Sequence, residues 1–185
     1  MHRVCVFCGA SAGNDPRYAA AAADLGRALA ARSIELVTGG GKVGLMGVVA
    51  DATLAAGGNV VGIIPRFLEE REVAHRGLTE LHVVESLHER KALMHQLSDG
   101  FIVLPGGFGT LDELMESITW AQLGLHAKPI GIINVAGYFD ELLSFVEGAR
   151  SAGFIPAAHS EILTVRNDAT ALVEALTQKR LPDEV

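Results

Sequence analysis

No apolar run in the sequence approaches the roughly 18 residues of a membrane-spanning helix. Met1-His2-Arg3-Val4 leads directly into an apparent strand rather than a leader, so a cytoplasmic protein that touches no membrane is expected. Basic charge is also scarce. Fifteen Lys and Arg stand against 22 Asp and Glu, for a net charge of −7, and no Lys/Arg block stands out. A nucleic-acid surface normally shows a basic stripe, so no nucleic-acid partner is expected. Only two cysteines occur, Cys5 and Cys8. Their C-x-x-C spacing lies at an apparent strand rather than at the helix start that acidifies a redox thiol. The odd separation sends the two side chains to opposite faces of a strand, so both read as buried structural residues. His75, His82, His88, His95, His126 and His159 are scattered without ligand spacing, and no second Cys/His cluster appears, so no metal site is expected. There is no G-x-S-x-G elbow. There is also no Walker A motif, because Lys42 is followed by Val43 rather than Ser or Thr.

What remains is an ordinary globular composition, 49% hydrophobic and 20% charged over 185 residues, which suits one domain spanning residues 1–185. Short apolar runs alternate with amphipathic stretches. Strands are expected at Arg3–Cys8, Ile34–Thr38, Asn59–Ile64, Glu80–Glu85, Gly100–Leu104, Pro129–Asn134 and Ile162–Val165. Helices are expected at Pro16–Arg32, Leu45–Ala56, Leu87–Leu97, Thr110–Leu123, Phe139–Ala152 and Asp168–Lys179. Runs such as Val60-Val61-Gly62-Ile63-Ile64 suit a sheet covered on both faces. The alternation predicts an α/β fold, a single Rossmann-like, doubly wound parallel sheet flanked by helices. Pro65–Thr79, with Glu69, Glu70, Arg71, Glu72, His75 and Arg76, is the longest irregular stretch and reads as a solvated loop or a lid.

In such a sheet, ligands bind at the carboxyl ends of the strands. Three glycine-rich loops fall there: Gly9–Gly13, Gly39–Gly47 and Pro105–Thr110. The last is the most informative. It follows the buried run Phe101-Ile102-Val103-Leu104 and opens a helix whose free amides attract an anion, with Thr110 placed to cap it. Glu113 adds a carboxylate that a plain phosphate grip does not need, which points to catalysis. Gly39-x-Gly41-x-x-Gly44 matches the dinucleotide fingerprint in form. It follows the second strand, however, and lacks the expected acid at the next strand end, where Arg66 stands and suits a 2′-phosphate. The glycines support a nucleotide or sugar-phosphate site, with an NADP site as the alternative. At the same edge, Arg90 and Lys91 place two cations in a first helical turn, against the macrodipole. Arg90 is suited to gripping an oxyanion through its planar fork. Asp112 and Glu113 also fall in an expected first turn, where the dipole favours acids.

Taken together, these residues resemble the LOG (Lonely Guy) family, the cytokinin riboside 5′-monophosphate phosphoribohydrolases formerly labelled lysine-decarboxylase-like. The resemblance rests on Val6-Phe7-Cys8-Gly9-Ala10-Ser11, on Gly39-Gly40-Gly41 with Gly44-Leu45-Met46-Gly47, and on Arg90-Lys91 with Met94. It rests further on Pro105-Gly106-Gly107-x-Gly109-Thr110-x-x-Glu113 and Thr119-Trp120-Ala121-Gln122-Leu123-Gly124. Thr38 stands where many members carry Tyr, and Asp112 where many carry Glu. The resemblance implies hydrolysis of the N-glycosidic bond of adenosine 5′-monophosphate or its N6-prenylated form, without a cofactor, by a homodimer. It implies that Arg90 and Glu113 are catalytic and that Gly107, Gly109 and Thr110 hold the phosphate. The matched motifs also set Gly9, Ser11, Gly40, Gly41, Met46, Lys91, Met94, Gly106, Phe108 and Thr119 at the substrate. The older decarboxylase label finds no support, because none of Lys42, Lys91, Lys128 and Lys179 has a recognisable cofactor-aldimine setting. A non-catalytic nucleotide carrier or sensor, and an NADP-dependent oxidoreductase, remain as alternatives.

Overall fold

The computed structural model describes residues 1–69, 74–156, 159 and 161–178. One parallel sheet of seven strands organises them, in the order β4-β3-β2-β1-β5-β6-β7. The strands are β1 Arg3–Phe7, β2 Glu35–Thr38, β3 Val60–Pro65, β4 Glu80–Val84, β5 Gly100–Val103, β6 Ile130–Ile133 and β7 Leu163–Arg166. Between them run α1 Pro16–Ala30, α2 Gly44–Ala55, α3 Arg66–Glu69, α4 Leu87–Leu97, α5 Phe108–Gln122 and α6 Asp140–Ser151, and α7 Ala169–Gln178 follows β7. The expected doubly wound sheet is observed. Glu70, Arg71, Glu72 and Lys179 lie outside the described residues, and within Pro65–Thr79 the short α3 appears where a loop was expected.

The buried strands divide their side chains between two core layers. Val4, Val6, Cys8, Leu36, Ile102 and Leu104 face one layer, with Leu25 and Leu29 of α1 and Val49 of α2. Cys5, Phe7, Val37, Phe101, Val103 and Ile132 face the other, with Met94 of α4 and Leu114 of α5. Cys5 and Cys8 thus fall in opposite layers, as the period of two requires. Both thiols are free and buried, and burial raises both pKa values first, with Glu113 adding to the effect. Neither thiol has reactive thiolate character.

The strand order reverses between β1 and β5, which are adjacent although the chain leaves β1 in one direction and β5 in the other. The ligand crevice of an open α/β sheet lies at such a point. The two loops that meet there are Gly9–Gly13 and Pro105–Gly107, and the Gly9 amide donates to the Pro105 carbonyl at 3.0 Å. Among the described residues no helix is long and apolar enough to cross a membrane.

Candidate active site

A cavity of about 520 Å³ opens at the β1/β5 junction. Its lining brings together Gly9, Ser11, Met46, Arg90, Gly106, Gly107, Gly109, Thr110 and Glu113 from four separate stretches of sequence. The helix starts around it are finished differently. Asp15 caps α1 by accepting from the Arg17 amide, and Ser86 caps α4 by accepting from the Glu89 amide. The first amides of α2, those of Leu45 and Met46, donate to the Gly9 carbonyl at 3.0 and 3.4 Å. Helix α5 instead follows Gly107, which has no side chain to cap with, so no side chain caps its first-turn amides, and Gly107, Gly109 and Thr110 line the cavity.

This start corrects two expectations. Thr110 does not cap α5. It is the third helical residue, buried, and packs back against Gly106, where any Cβ would collide with the Thr110 side chain. Asp112 and Glu113 consequently sit beyond the first turn, which contains no acid. The macrodipole fades within that turn, so it gives no structural reason for a carboxylate at position 113.

Arg90 is 7% exposed. Its Nε donates to the Ile63 carbonyl at 3.1 Å and its Nη2 to the Gly39 carbonyl at 3.2 Å. Those bonds use two of the five N–H groups of a guanidinium that also lines the cavity. The fields of Glu113 and Arg90 both reach the Cys8 thiol at the cavity floor, the acid raising its pKa and the cation lowering it. A carboxylate, a held guanidinium and an open helix start therefore share one crevice.

Behind Glu113 lies a buried polar network. The Ser117 hydroxyl donates to the Glu113 carbonyl at 2.8 Å and meets His95 Nε2 at 3.1 Å. With its proton committed to Glu113, Ser117 accepts from His95, which fixes the Nε2–H tautomer. Burial, followed by the cationic and imidazole neighbours His126, Lys128 and Lys91, lowers the His95 pKa to about 4. His95 is therefore neutral near pH 7 and packs against Trp120 at 4.4 Å and Phe101 at 4.5 Å.

Six expected substrate contacts lie outside the cavity lining. Gly40 backs onto Ile64 and Leu81, and Gly41 bridges to Ala74. Met94 is buried in the core. The Phe108 ring is 92% exposed, and the Thr119 hydroxyl donates to the Met115 carbonyl at 2.7 Å. Lys91 Nζ lies 3.0 Å from both Asp112 and Glu116, bracing α4 against α5. Burial pulls its pKa down, but those two carboxylates outweigh it and hold the ammonium above its usual range. The alternative NADP cradle also loses its elements. Arg66 pairs with Glu85 at 2.8 Å, and the Gly39 side-chain space is filled by Arg90. Two cavity residues were missed in the sequence, Tyr18 and Tyr138. Each follows a strand that ends at this edge, which was the available signal.

A family profile described as possible lysine decarboxylase matches residues 46–176. A probable cytokinin riboside 5′-monophosphate phosphoribohydrolase of Oryza sativa subsp. japonica is 51% identical over 178 residues, covering 96% of this chain and 78% of the relative. An Arabidopsis thaliana cytokinin riboside 5′-monophosphate phosphoribohydrolase is 49% identical over 174 residues, covering 94% and 82%. In fold the chain is similar to the molybdenum cofactor carrier protein of Chlamydomonas reinhardtii, with a TM-score of 0.71 at 19% identity over 95% of this chain and 96% of that one. At that identity the likeness concerns the fold alone. The extent and identity of the sequence matches establish that the chain belongs to the LOG family, the cytokinin riboside 5′-monophosphate phosphoribohydrolases.

Proposed function

We propose that this protein hydrolyses the N-glycosidic bond of adenosine 5′-monophosphate or an N6-modified (cytokinin) riboside 5′-monophosphate, releasing the free base and ribose 5-phosphate. The observation that carries the reading is the convergence of Glu113, Arg90 and the uncapped start of α5 on one cavity at the β1/β5 junction. The names of relatives about half identical in sequence support it.

The chemistry follows from that convergence. Glycosidic cleavage passes through an oxocarbenium-like state with positive charge on the sugar. A phosphate on the amides of Gly107, Gly109 and Thr110 supplies binding energy remote from the bond that breaks and orients the ribose. The Glu113 carboxylate then faces the developing charge and activates the attacking water. Arg90, held by two main-chain carbonyls, keeps its remaining donors for the carboxylate, the base or a ribose hydroxyl. No cofactor is needed for this hydrolysis.

We also propose a homodimer. Phe108 and Met115 on α5, Leu123 just after it and Leu87 on α4 are exposed hydrophobic side chains along the two helices that carry Glu113 and Arg90. A second copy covering them would bring Phe108 and Thr119, now outside the cavity, to a shared interface. Light scattering should give twice the 19.5 kDa chain mass, and a fully active monomer would contradict the assignment.

The decisive assay is release of free base from AMP, from isopentenyladenosine monophosphate and from adenosine. Nucleotides should be cleaved far better than the nucleoside. Equal turnover would remove the phosphate assignment, and nucleotide binding without turnover would favour a carrier.

A further inference from the structure

Pro105-Gly106-Gly107 is a grip whose own sequence makes it loose. Gly106 has to lack a side chain, because a Cβ there would strike Thr110 and the Gly9 amide. Two consecutive glycines then leave the peptide between them with more freedom than any other pair. A phosphate site built on backbone amides needs the opposite, donors fixed before the ligand arrives. The rigidity has to come from outside the loop.

We propose that Tyr138 supplies it, as a positioning residue whose hydroxyl orients the Gly106–Gly107 peptide for the phosphate; this rests on the phosphoribohydrolase reading of the same cavity. The Tyr138 Oη donates to the Gly106 carbonyl at 2.6 Å. In a trans peptide the N–H points opposite to the C=O, so holding the Gly106 oxygen also sets the direction of the Gly107 amide at the start of α5. The preceding carbonyl, that of Pro105, is held by the Gly9 amide. Two successive carbonyls of the loop are thereby pinned, one by each neighbouring element of the crevice.

The chain turns sharply to deliver this phenol. After β6, Ala136 adopts φ 55° and ψ 26°, and Gly137 has φ 73°. A left-handed alanine is uncommon and persists only where the surroundings over-determine it. Here Asn134 brackets the turn: its Oδ1 accepts from the Phe139 amide at 2.8 Å and its Nδ2 donates to Asp140 at 2.6 Å. The ring is fixed separately, edge-on to Tyr18 at 5.6 Å and to Phe139 at 4.9 Å. Tyr18 in turn covers Gly13. The two tyrosines therefore join the β1 loop to the β5 loop across the crevice, and the hydroxyl is the part of Tyr138 that hydrogen-bonds the phosphate grip.

Tyr138→Phe keeps the ring and removes that bond. Three quantities test it: kcat and KM for AMP, kcat/KM for adenosine, and the calorimetric Kd for ribose 5-phosphate. The KM for AMP and the Kd for ribose 5-phosphate should rise about tenfold, the scale of one net hydrogen bond, and kcat/KM for AMP should fall at least as far, while kcat/KM for adenosine, which lacks the phosphate, falls far less. Asn134→Ala, which frees the turn from its other side, should shift the same two quantities. An unchanged Kd, or equal losses on AMP and adenosine, would overturn the assignment. The sugar-phosphate measurement does not depend on turnover. A wild type that binds ribose 5-phosphate without cleaving nucleotides would refute the enzymatic reading, while the effect of Tyr138→Phe on Kd still decides the role of Tyr138.

Discussion

In the Gly39–Gly47 loop, the space that side chains at Gly39, Gly40, Gly44 and Gly47 would occupy belongs to the protein. Arg90 fills it at Gly39, the Ala10–Ser11 backbone at Gly44 and the Lys42 carbonyl at Gly47. In the Pro105–Thr110 loop, Gly106 is filled in the same way, but Gly107 and Gly109 have nothing within 4 Å of a Cβ. The helix starts behind the loops repeat the contrast. The first amides of α2 are spent on the Gly9 carbonyl, whereas among the described residues those of α5 have no such acceptor. Both loops read as nucleotide grips in the sequence. In space, one is filled by the protein's own parts, the Arg90 guanidinium among them, while the other keeps open space at Gly107 and Gly109.

The largest test separates chemistry from grip on the open side. Glu113→Gln keeps the shape and removes the charge facing the oxocarbenium, so kcat should fall by roughly 10²–10⁴ while AMP still binds. Near-normal turnover would return the protein to the carrier reading. Next comes the filled loop. A methyl at Gly39 collides with the far end of Arg90, a flexible side chain that yields by moving. Gly39→Ala should therefore fold, yet lose about a hundredfold in kcat/KM through misplacement of a group it does not itself present to substrate. A fully active Gly39→Ala would break the division between the loops.

Gly109→Ala sharpens the same comparison from the other side. It is the second residue of α5 with open space around it, so the apo protein should gain up to about 0.5–1 kcal/mol in chemical denaturation. Affinity for ribose 5-phosphate should nevertheless drop by about tenfold or more, because the added methyl would hold the phosphate off the amides and cost about one hydrogen bond to a charged group. A variant that gains stability and keeps affinity would show that the open space is not the phosphate's. The smallest effect lies behind the site. His95 is held near pKa 4, below its ordinary 6.5, so the unfolded chain binds this proton more readily between those values. The His95 contribution should be complete above about pH 6.5 and fade as pH falls toward 4, read as a declining thermal midpoint. His95→Gln should flatten that decline, and an unchanged slope would remove His95 as its cause.

The strands were legible because all-apolar runs such as Ile130–Ile133 admit one reading in a covered parallel sheet. That Arg90 reaches the cavity edge was legible from its place just after the β4–α4 turn, and Glu113 stood out as a charge in an anion loop. The helix start was misread because Thr110 resembles a cap and Gly107 does not, although a helix can begin on a residue with no side chain. Gly39 looked like ligand backbone because its occupant, Arg90, is 51 residues away in sequence. Tyr138 escaped for a related reason. Its approach depends on a left-handed turn at Ala136, a residue with no propensity for that conformation.

Gly9 ties these parts together in a way that bears on loop length. Its amide is bound to Pro105 and its carbonyl to Leu45 and Met46, so one residue sets the distance between the β1, β2 and β5 crossovers. Adding or deleting a single residue beside it cannot preserve both bonds, and a change in one crossover demands a matching change in the others. The turn at Gly57, left-handed and with nothing within 4 Å of a Cβ, carries no such tie. Chain length is therefore fixed by main-chain bonds at the cavity edge and is less constrained at the Gly57 turn.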